Sequence, residues 1–155
     1  MVKEGEAAPE FEARDAEGNT VRLSDLRGQK VALYFYPKDD TPGCTKEACS
    51  FRDGFAEFQR RGIEVLGVST DDERSHRKFA EKYSLPFTLL ADTDHKVADA
   101  FGVYGEKQFA GRRYMGVSRR TFLVDESGRV RKVFDKVKVG EHAGEVLRAF
   151  DEPAA

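Results

Sequence analysis

Apolar and polar positions fall into short blocks whose period switches between two and about 3.6 residues. Phe11–Arg14 and Thr20–Leu23 alternate on either side of Glu17-Gly18-Asn19, which predicts a β-hairpin. Val31-Ala-Leu-Tyr-Phe-Tyr36 is an unbroken apolar run of strand length, as expected of a strand covered on both faces, and Pro37 ends it. A helix is predicted from Pro42 to about Arg61, stopped by Gly62. Ile63–Ser69 reads as a second buried strand, Asp72–Tyr83 as a helix with acidic residues in its first turn, Phe87–Leu90 as a third strand and Asp94–Phe101 as a short helix. Val103–Val117 contains Gly105, Gly111 and Gly116 and has no clear period, so it is expected to be a loop. Arg120–Val124 and Val130–Phe134 flank Asp125-Glu-Ser-Gly128 and predict a hairpin, and Glu141–Phe150 a closing helix.

The order β-α-β-α-β-α followed by β-β-α implies an α/β fold. Its central sheet should be mainly parallel, made mixed by the late hairpin and covered by helices on both faces. A chain of 155 residues without a linker or repeat is expected to be one domain, 1–155, with Asp151–Ala155 a frayed tail.

Composition narrows the function. A net charge of −2 gives no basic excess for nucleic acid or an anionic membrane. Hydrophobic residues at 39%, with 12 Phe, exclude a disordered chain. No apolar run is long enough to span a bilayer, and the opening MVKEGEAAPEF lacks a signal peptide's apolar region, so a cytoplasmic location is expected. Cys44 and Cys49 are the only cysteines. Two are too few for a disulfide scaffold, and in a reducing compartment a lone pair points to catalysis or metal binding. His76, His95 and His142 are too scattered to complete a zinc site with them, so no metal is expected.

The chemistry-bearing segment is Tyr34-Phe-Tyr-Pro-Lys-Asp-Asp-Thr-Pro-Gly-Cys-Thr-Lys-Glu-Ala-Cys49. Thr41 suits an N-cap and Pro42 the first helical position, which puts Cys44 in the first turn, where unpaired N–H groups favour negative charge. The thiolate is the nucleophile. Moving a thiol from about 8.5 to about 6 takes roughly 3.4 kcal/mol, whereas a helix terminus supplies at most about 2 kcal/mol. Asp39, Asp40 and Glu47 would oppose it if their charges faced the sulfur. A fixed cation is therefore required, and arginine is the natural one.

Cys44, Ala48, Phe51, Phe55 and Phe58 recur at helical spacing and form one apolar stripe. Cys49 lies about 140° away around the axis, on a mostly polar face, and the two Cα atoms of an intact helix are roughly 8–9 Å apart. A disulfide needs less than about 7 Å, so pairing would require local unwinding. On the apolar stripe alone, Cys44 could equally be a small core residue. The spacing is not the Cys-x-x-Cys of dithiol oxidoreductases.

Pro37-x-x-x-Thr41-x-x-Cys44, followed by Cys49, resembles the peroxiredoxin active-site signature and is similar to the bacterioferritin-comigratory-protein, or peroxiredoxin Q, branch. Gly5-x-x-Ala-Pro9-x-Phe and Arg119-Arg-Thr-Phe-Leu-Val-Asp125 extend the resemblance along nearly the whole chain. The resemblance implies a thioredoxin-like fold and a thiol-dependent peroxidase acting on hydrogen peroxide and alkyl hydroperoxides. Cys44 would be the peroxidatic cysteine and Cys49 the resolving one within the same subunit. Thr41 would bond the sulfur and the peroxide, Pro37 would shield the thiolate and Arg119, rather than adjacent Arg120, would be the fixed cation. Glu47 would orient that arginine. The implied reductant is thioredoxin, with glutaredoxin as the alternative; no metal, haem or flavin cofactor is implied. A resolving cysteine in the same helix makes a monomer the expectation, a dimer the alternative. Two other readings compete: a general thiol–disulfide oxidoreductase, and a redox-sensing or holdase module.

Overall fold

An apolar strand with no polar face is stable only where both of its faces are covered, which puts Val31–Phe35 at the middle of a sheet. The computed structural model describes residues 1–152, and the last three residues lie outside the description. Along the chain are β1 (Glu12–Asp15), β2 (Thr20–Arg22), a 3-10 turn (Leu23–Leu26), β3 (Lys30–Phe35), α1 (Pro42–Asp53), α2 (Phe55–Arg60) and β4 (Ile63–Ser69). Then come α3 (Glu73–Tyr83), β5 (Thr88–Ala91), α4 (Lys96–Phe101), β6 (Tyr104–Phe109), β7 (Arg112–Val117), β8 (Arg120–Val124), β9 (Val130–Phe134) and α5 (His142–Asp151).

Seven strands form one sheet in the order β2-β1-β5-β4-β3-β8-β9. β3 pairs in parallel with β4, and β4 with β5; β8 and β9 join antiparallel. The sheet is mixed, as expected. Alternate residues of β3 point to opposite faces. Ala32 and Tyr34 pack under one layer with Ala48, Phe51, Phe58, Phe79 and Val146, so α1, α2, α3 and α5 cover that face. Val31, Leu33 and Phe35 pack on the other with Val97, Phe101 and Phe122, under α4.

Most predicted elements are present to within two residues at each end, but three expectations need correcting. The single helix from Pro42 is two helices, because Gly54 breaks it. A Cβ at Gly54 would stand 3.4 Å from the Ala143 side chain, so glycine there lets α5 approach closely. The segment Val103–Val117 is not a loop: β6 and β7 form a separate antiparallel hairpin in register from Tyr104↔Val117 to Phe109↔Arg112. Its turn, Ala110-Gly111, has positive φ at both residues (52° and 79°), as a two-residue hairpin turn requires. Alternation is absent because much of the hairpin is exposed, with Phe109 75% and Met115 58% accessible. Asp151, expected to fray, ends α5 and accepts a hydrogen bond from Arg61 at 2.8 Å; the rest of the expected tail, 153–155, lies outside the described residues.

Candidate active site

β3 and β8 are antiparallel neighbours with Phe35 opposite Arg120. The end of β3 and the start of β8 therefore meet at one edge of the sheet. The chain leaving β3 turns through Pro37–Thr41 into α1, and the residue entering β8 is Arg119. Topology alone thus brings the cysteine helix against two adjacent arginines.

Only Arg119 reaches the sulfur. Its Nη2 donates to Cys44 Sγ at 3.3 Å and its Nη1 donates to Glu47 Oε1 at 2.6 Å. Arg120 points elsewhere, with Nη1 on the carbonyls of Arg119 (3.0 Å) and Asp135 (3.4 Å). Gly43 leaves the space for this: a Cβ there would lie 3.2 Å from Arg119 Nη2. Cys44 is 2% exposed and continues the buried stripe of Ala48, Phe51 and Phe58.

The carboxylates that could oppose a thiolate are all engaged by other groups. Asp39 accepts from Tyr36 Oη (2.6 Å) and Ser75 Oγ (2.8 Å), and Asp40 from Lys82 Nζ (2.8 Å) and Tyr83 Oη (2.7 Å). Glu47 is fully buried, and its Oε2 has no partner among the described residues. Burial pushes its carboxyl up to about 7, with Arg119 only partly opposing. Arg119 itself is raised: burial disfavours its charge, but Glu47 and Cys44 outweigh that. The pair is a permanent guanidinium beside a carboxyl that titrates near neutrality.

Two sequence expectations about Thr41 are not met in this geometry. Thr41 has the extended backbone of an N-cap, yet its hydroxyl caps no helix N–H and makes no bond to Cys44. It donates to the Lys38 carbonyl at 2.8 Å, which tightens the loop instead. Pro37 is half-buried and lines a cleft with Tyr104, Lys107, Tyr114 and Val117. Cys49 is half-buried on the other side of α1, both cysteines are unbonded and α1 is continuous through them.

Sequence reasoning misses Lys107. Its Nζ donates to the Val117 carbonyl at 2.9 Å. Burial and the Arg119 charge lower its pKa, the nearby Cys44 sulfur draws it back up, and Arg120 lowers it further. It is a second cation within electrostatic reach of the sulfur. No local signal marks it, because it belongs to the hairpin read as a loop. Also missed is the contact between Asp39 and His76, although Asp39 is inside the motif and His76 shares a helical face with Phe79.

Known proteins share this arrangement of chain. The AhpC/TSA family matches residues 5–133. The chain is 47% identical over 151 residues to Peroxiredoxin Bcp of Bacillus subtilis, covering 97% of this chain and 96% of the relative. Of solved structures, Xylella fastidiosa PrxQ superposes with a TM-score of 0.90 at 33% identity, covering 98% of this chain and 99% of the other. The Xanthomonas campestris bacterioferritin comigratory protein gives 0.86 at 38% identity, covering 91% and 90%.

Proposed function

We propose, because this chain belongs to the AhpC/TSA family and is a thiol peroxidase of the Bcp type with a thioredoxin-like fold, that Cys44 is its peroxidatic cysteine and Cys49 its resolving one. The observation that carries this is the Arg119 guanidinium donating to Cys44 Sγ at 3.3 Å on a nearly inaccessible sulfur. A cation that cannot lose its proton favours the thiolate, the form that reacts.

The chemistry follows from the sulfur outward. The Cys44 thiolate attacks one oxygen of a hydroperoxide; an S–O bond forms as the O–O bond breaks, and sulfur gives up two electrons. The other oxygen leaves with the electron pair and takes a proton, departing as water or an alcohol. Arg119 faces the charge that develops there, and the free N–H groups at the start of α1 share it. Thr41 joins only after its hydroxyl turns away from the Lys38 carbonyl. Pro37 keeps water from the sulfur, and Glu47 holds the guanidinium in line.

The Cys49 thiol then condenses with the sulfenic acid: its sulfur attacks the Cys44 sulfur, the S–S bond forms as the S–O bond breaks, and the sulfenic OH takes the thiol proton and leaves as water. The first turns of α1 must unwind for this, since the helical separation exceeds disulfide reach. An external dithiol, thioredoxin or glutaredoxin, returns both thiols by exchange. Hydrogen peroxide and alkyl hydroperoxides are the substrates; the Xanthomonas relative is described by its alkyl peroxide reduction activity. Because its resolving thiol is in the same helix, the reaction needs no partner subunit, and the enzyme works as a single-domain monomer.

The test is turnover. With thioredoxin, its reductase and NADPH, hydrogen peroxide should drive NADPH consumption, and Cys44→Ser should abolish it. No consumption by the unaltered protein, or full activity without Cys44, overturns the reading.

A further inference from the structure

We propose that His76 is a positioning residue for the Cys44 segment: its buried contact with Asp39 fixes the Pro37–Thr41 loop, so that helix opening hinges at Thr41–Gly43 and leaves the loop in place. This rests on the reading of Cys44 and Cys49 given above.

His76 is on α3, fully buried, with Nδ1 2.7 Å from Asp39 Oδ2 and Nε2 2.9 Å from the Leu90 carbonyl. A carbonyl only accepts, so Nε2 carries a proton. The Asp39 carboxylate already takes the hydroxyls of Tyr36 and Ser75 as donors, so Nδ1 presents it with the second. This geometry favours the imidazolium, paired with the Asp39 carboxylate. Burial pulls its pKa down, but Asp39 and the Leu90 carbonyl outweigh burial and raise it, with Asp71 adding to the effect. The titratable groups facing it are Asp39 from the loop, Tyr36 beyond the end of β3 and Asp71 after β4; β5 offers only the Leu90 carbonyl.

The loop is pinned around this pair. The Asp39 N–H donates to Asp71 Oδ2 at 2.8 Å, and Asp71 is held in turn by Ser69 Oγ at 2.7 Å. Asp40 has a left-handed backbone (φ 56°), unfavourable for a residue with a Cβ, and is held there by Lys82 and Tyr83 of α3. Immediately downstream the hold weakens. No side chain caps α1, and Gly43 in its first turn is a poor helix former. Cys44 must leave this helix to meet Cys49. The segment between a pinned loop and an uncapped helix start is where the backbone gives way, and the loop, kept in register, lets the site re-form after reduction.

The experiment oxidises the full chain with hydrogen peroxide, quenches it over time and reads sulfenic acid and disulfide by mass spectrometry. His76→Asn removes the cation. Peroxide-dependent oxidation of Cys44 should slow about tenfold, the scale of one hydrogen bond to a charged group, while the following condensation of Cys49 with the Cys44 sulfenic acid, a step whose rate does not depend on peroxide concentration, speeds up. Ser75→Ala keeps the ion pair and should shift both rates far less. A purely structural role lowers thermal stability but does not move the two rates in opposite directions. Raising the pH through the His76 titration should mimic His76→Asn in the unaltered protein, and that extra acceleration of disulfide formation should be missing from the variant. Should His76→Asn fail to fold, hydrogen exchange in the oxidised native protein decides. The Asp39 amide should stay as protected as in the reduced form while amides from Gly43 to Cys49 lose protection, and loss at Asp39 overturns the proposal. If the unaltered protein forms neither sulfenic acid nor disulfide, the cysteine assignment falls and this inference with it. If it forms both and His76→Asn leaves the two rates unchanged or slows them together, this inference alone falls.

Discussion

The two cysteines share one helix and one solvent history, yet their surroundings differ in almost every physical respect. Cys44 is buried on the apolar stripe with a guanidinium donating to its sulfur at 3.3 Å. Cys49, five positions on, is half-buried on the polar side, with no hydrogen bond to its sulfur among the described residues. The helix terminus is common to the neighbourhood of both and too weak alone to separate them. What separates them is tertiary: a strand edge that delivers Arg119, a glycine that makes room for it, and neighbours that engage each competing carboxylate. Reactivity in this site is a property of packing that the helix merely orients.

The contrast breaks most completely at the sulfurs. Cys44→Ser should abolish peroxide consumption in the thioredoxin-coupled assay. Cys49→Ser should instead consume about one equivalent of peroxide per chain, accumulate sulfenic acid and then stall with thioredoxin as sole reductant. Steady turnover in that variant would remove Cys49 from its role.

Gly43→Ala sharpens the contrast on the Cys44 side only. The new methyl must displace Arg119 Nη2, 3.2 Å away, by a few tenths of an ångström. Since a misplacement of about 1 Å can cost ~10²-fold, Cys44 oxidation should slow by about 3- to 10-fold in rapid-mixing experiments. Helix propensity favours alanine over glycine, so this loss should come without a lower melting temperature. An unchanged rate would mean the guanidinium position does not matter.

Glu47→Gln has the smallest expected effect on rate and tests stability instead. Burial holds the Glu47 carboxyl up at about 7 from an ordinary 4.5, so folding favours its neutral form. That contribution is complete below about pH 4.5 and lost as the pH rises through 7; the gap corresponds to at most about 3.4 kcal/mol. Glutamine is neutral throughout. Urea denaturation should therefore show the stability of Glu47→Gln relative to the unaltered protein increasing between about pH 5 and pH 8. A constant difference would contradict the burial argument.

Legibility in the sequence followed burial. The run from Val31, the strand Ile63–Ser69 and the stripe Cys44-Ala48-Phe51-Phe58 could be read because each contacts a single kind of environment. The β6–β7 hairpin could not, because neither of its faces is uniformly covered and its turn puts alanine at positive φ. The break at Gly54 was not marked by the periodicity, because the apolar stripe runs on across it from Phe51 to Phe58. In the site, the need for a cation followed from magnitudes, whereas the choice between Arg119 and Arg120 depended on strand alternation and family position. Lys107 and the Asp39–His76 pair were invisible because their partners are distant in sequence. The Thr41 hydroxyl departs from expectation because it donates to a local acceptor, the Lys38 carbonyl three residues back.

The central claim is that the Arg119 guanidinium holds Cys44 in its reactive form. The direct measurement is the second-order rate constant for Cys44 sulfenic-acid formation by hydrogen peroxide in a Cys49→Ser background, comparing Arg119→Ala with Arg120→Ala. Losing a hydrogen bond to a charged group, about 1.5–3 kcal/mol, predicts a rate about 10- to 150-fold lower for Arg119→Ala, with a smaller thiolate absorbance at neutral pH and a far smaller change for Arg120→Ala. Equal slowing by the two variants, or a larger loss from Arg120→Ala, would contradict it.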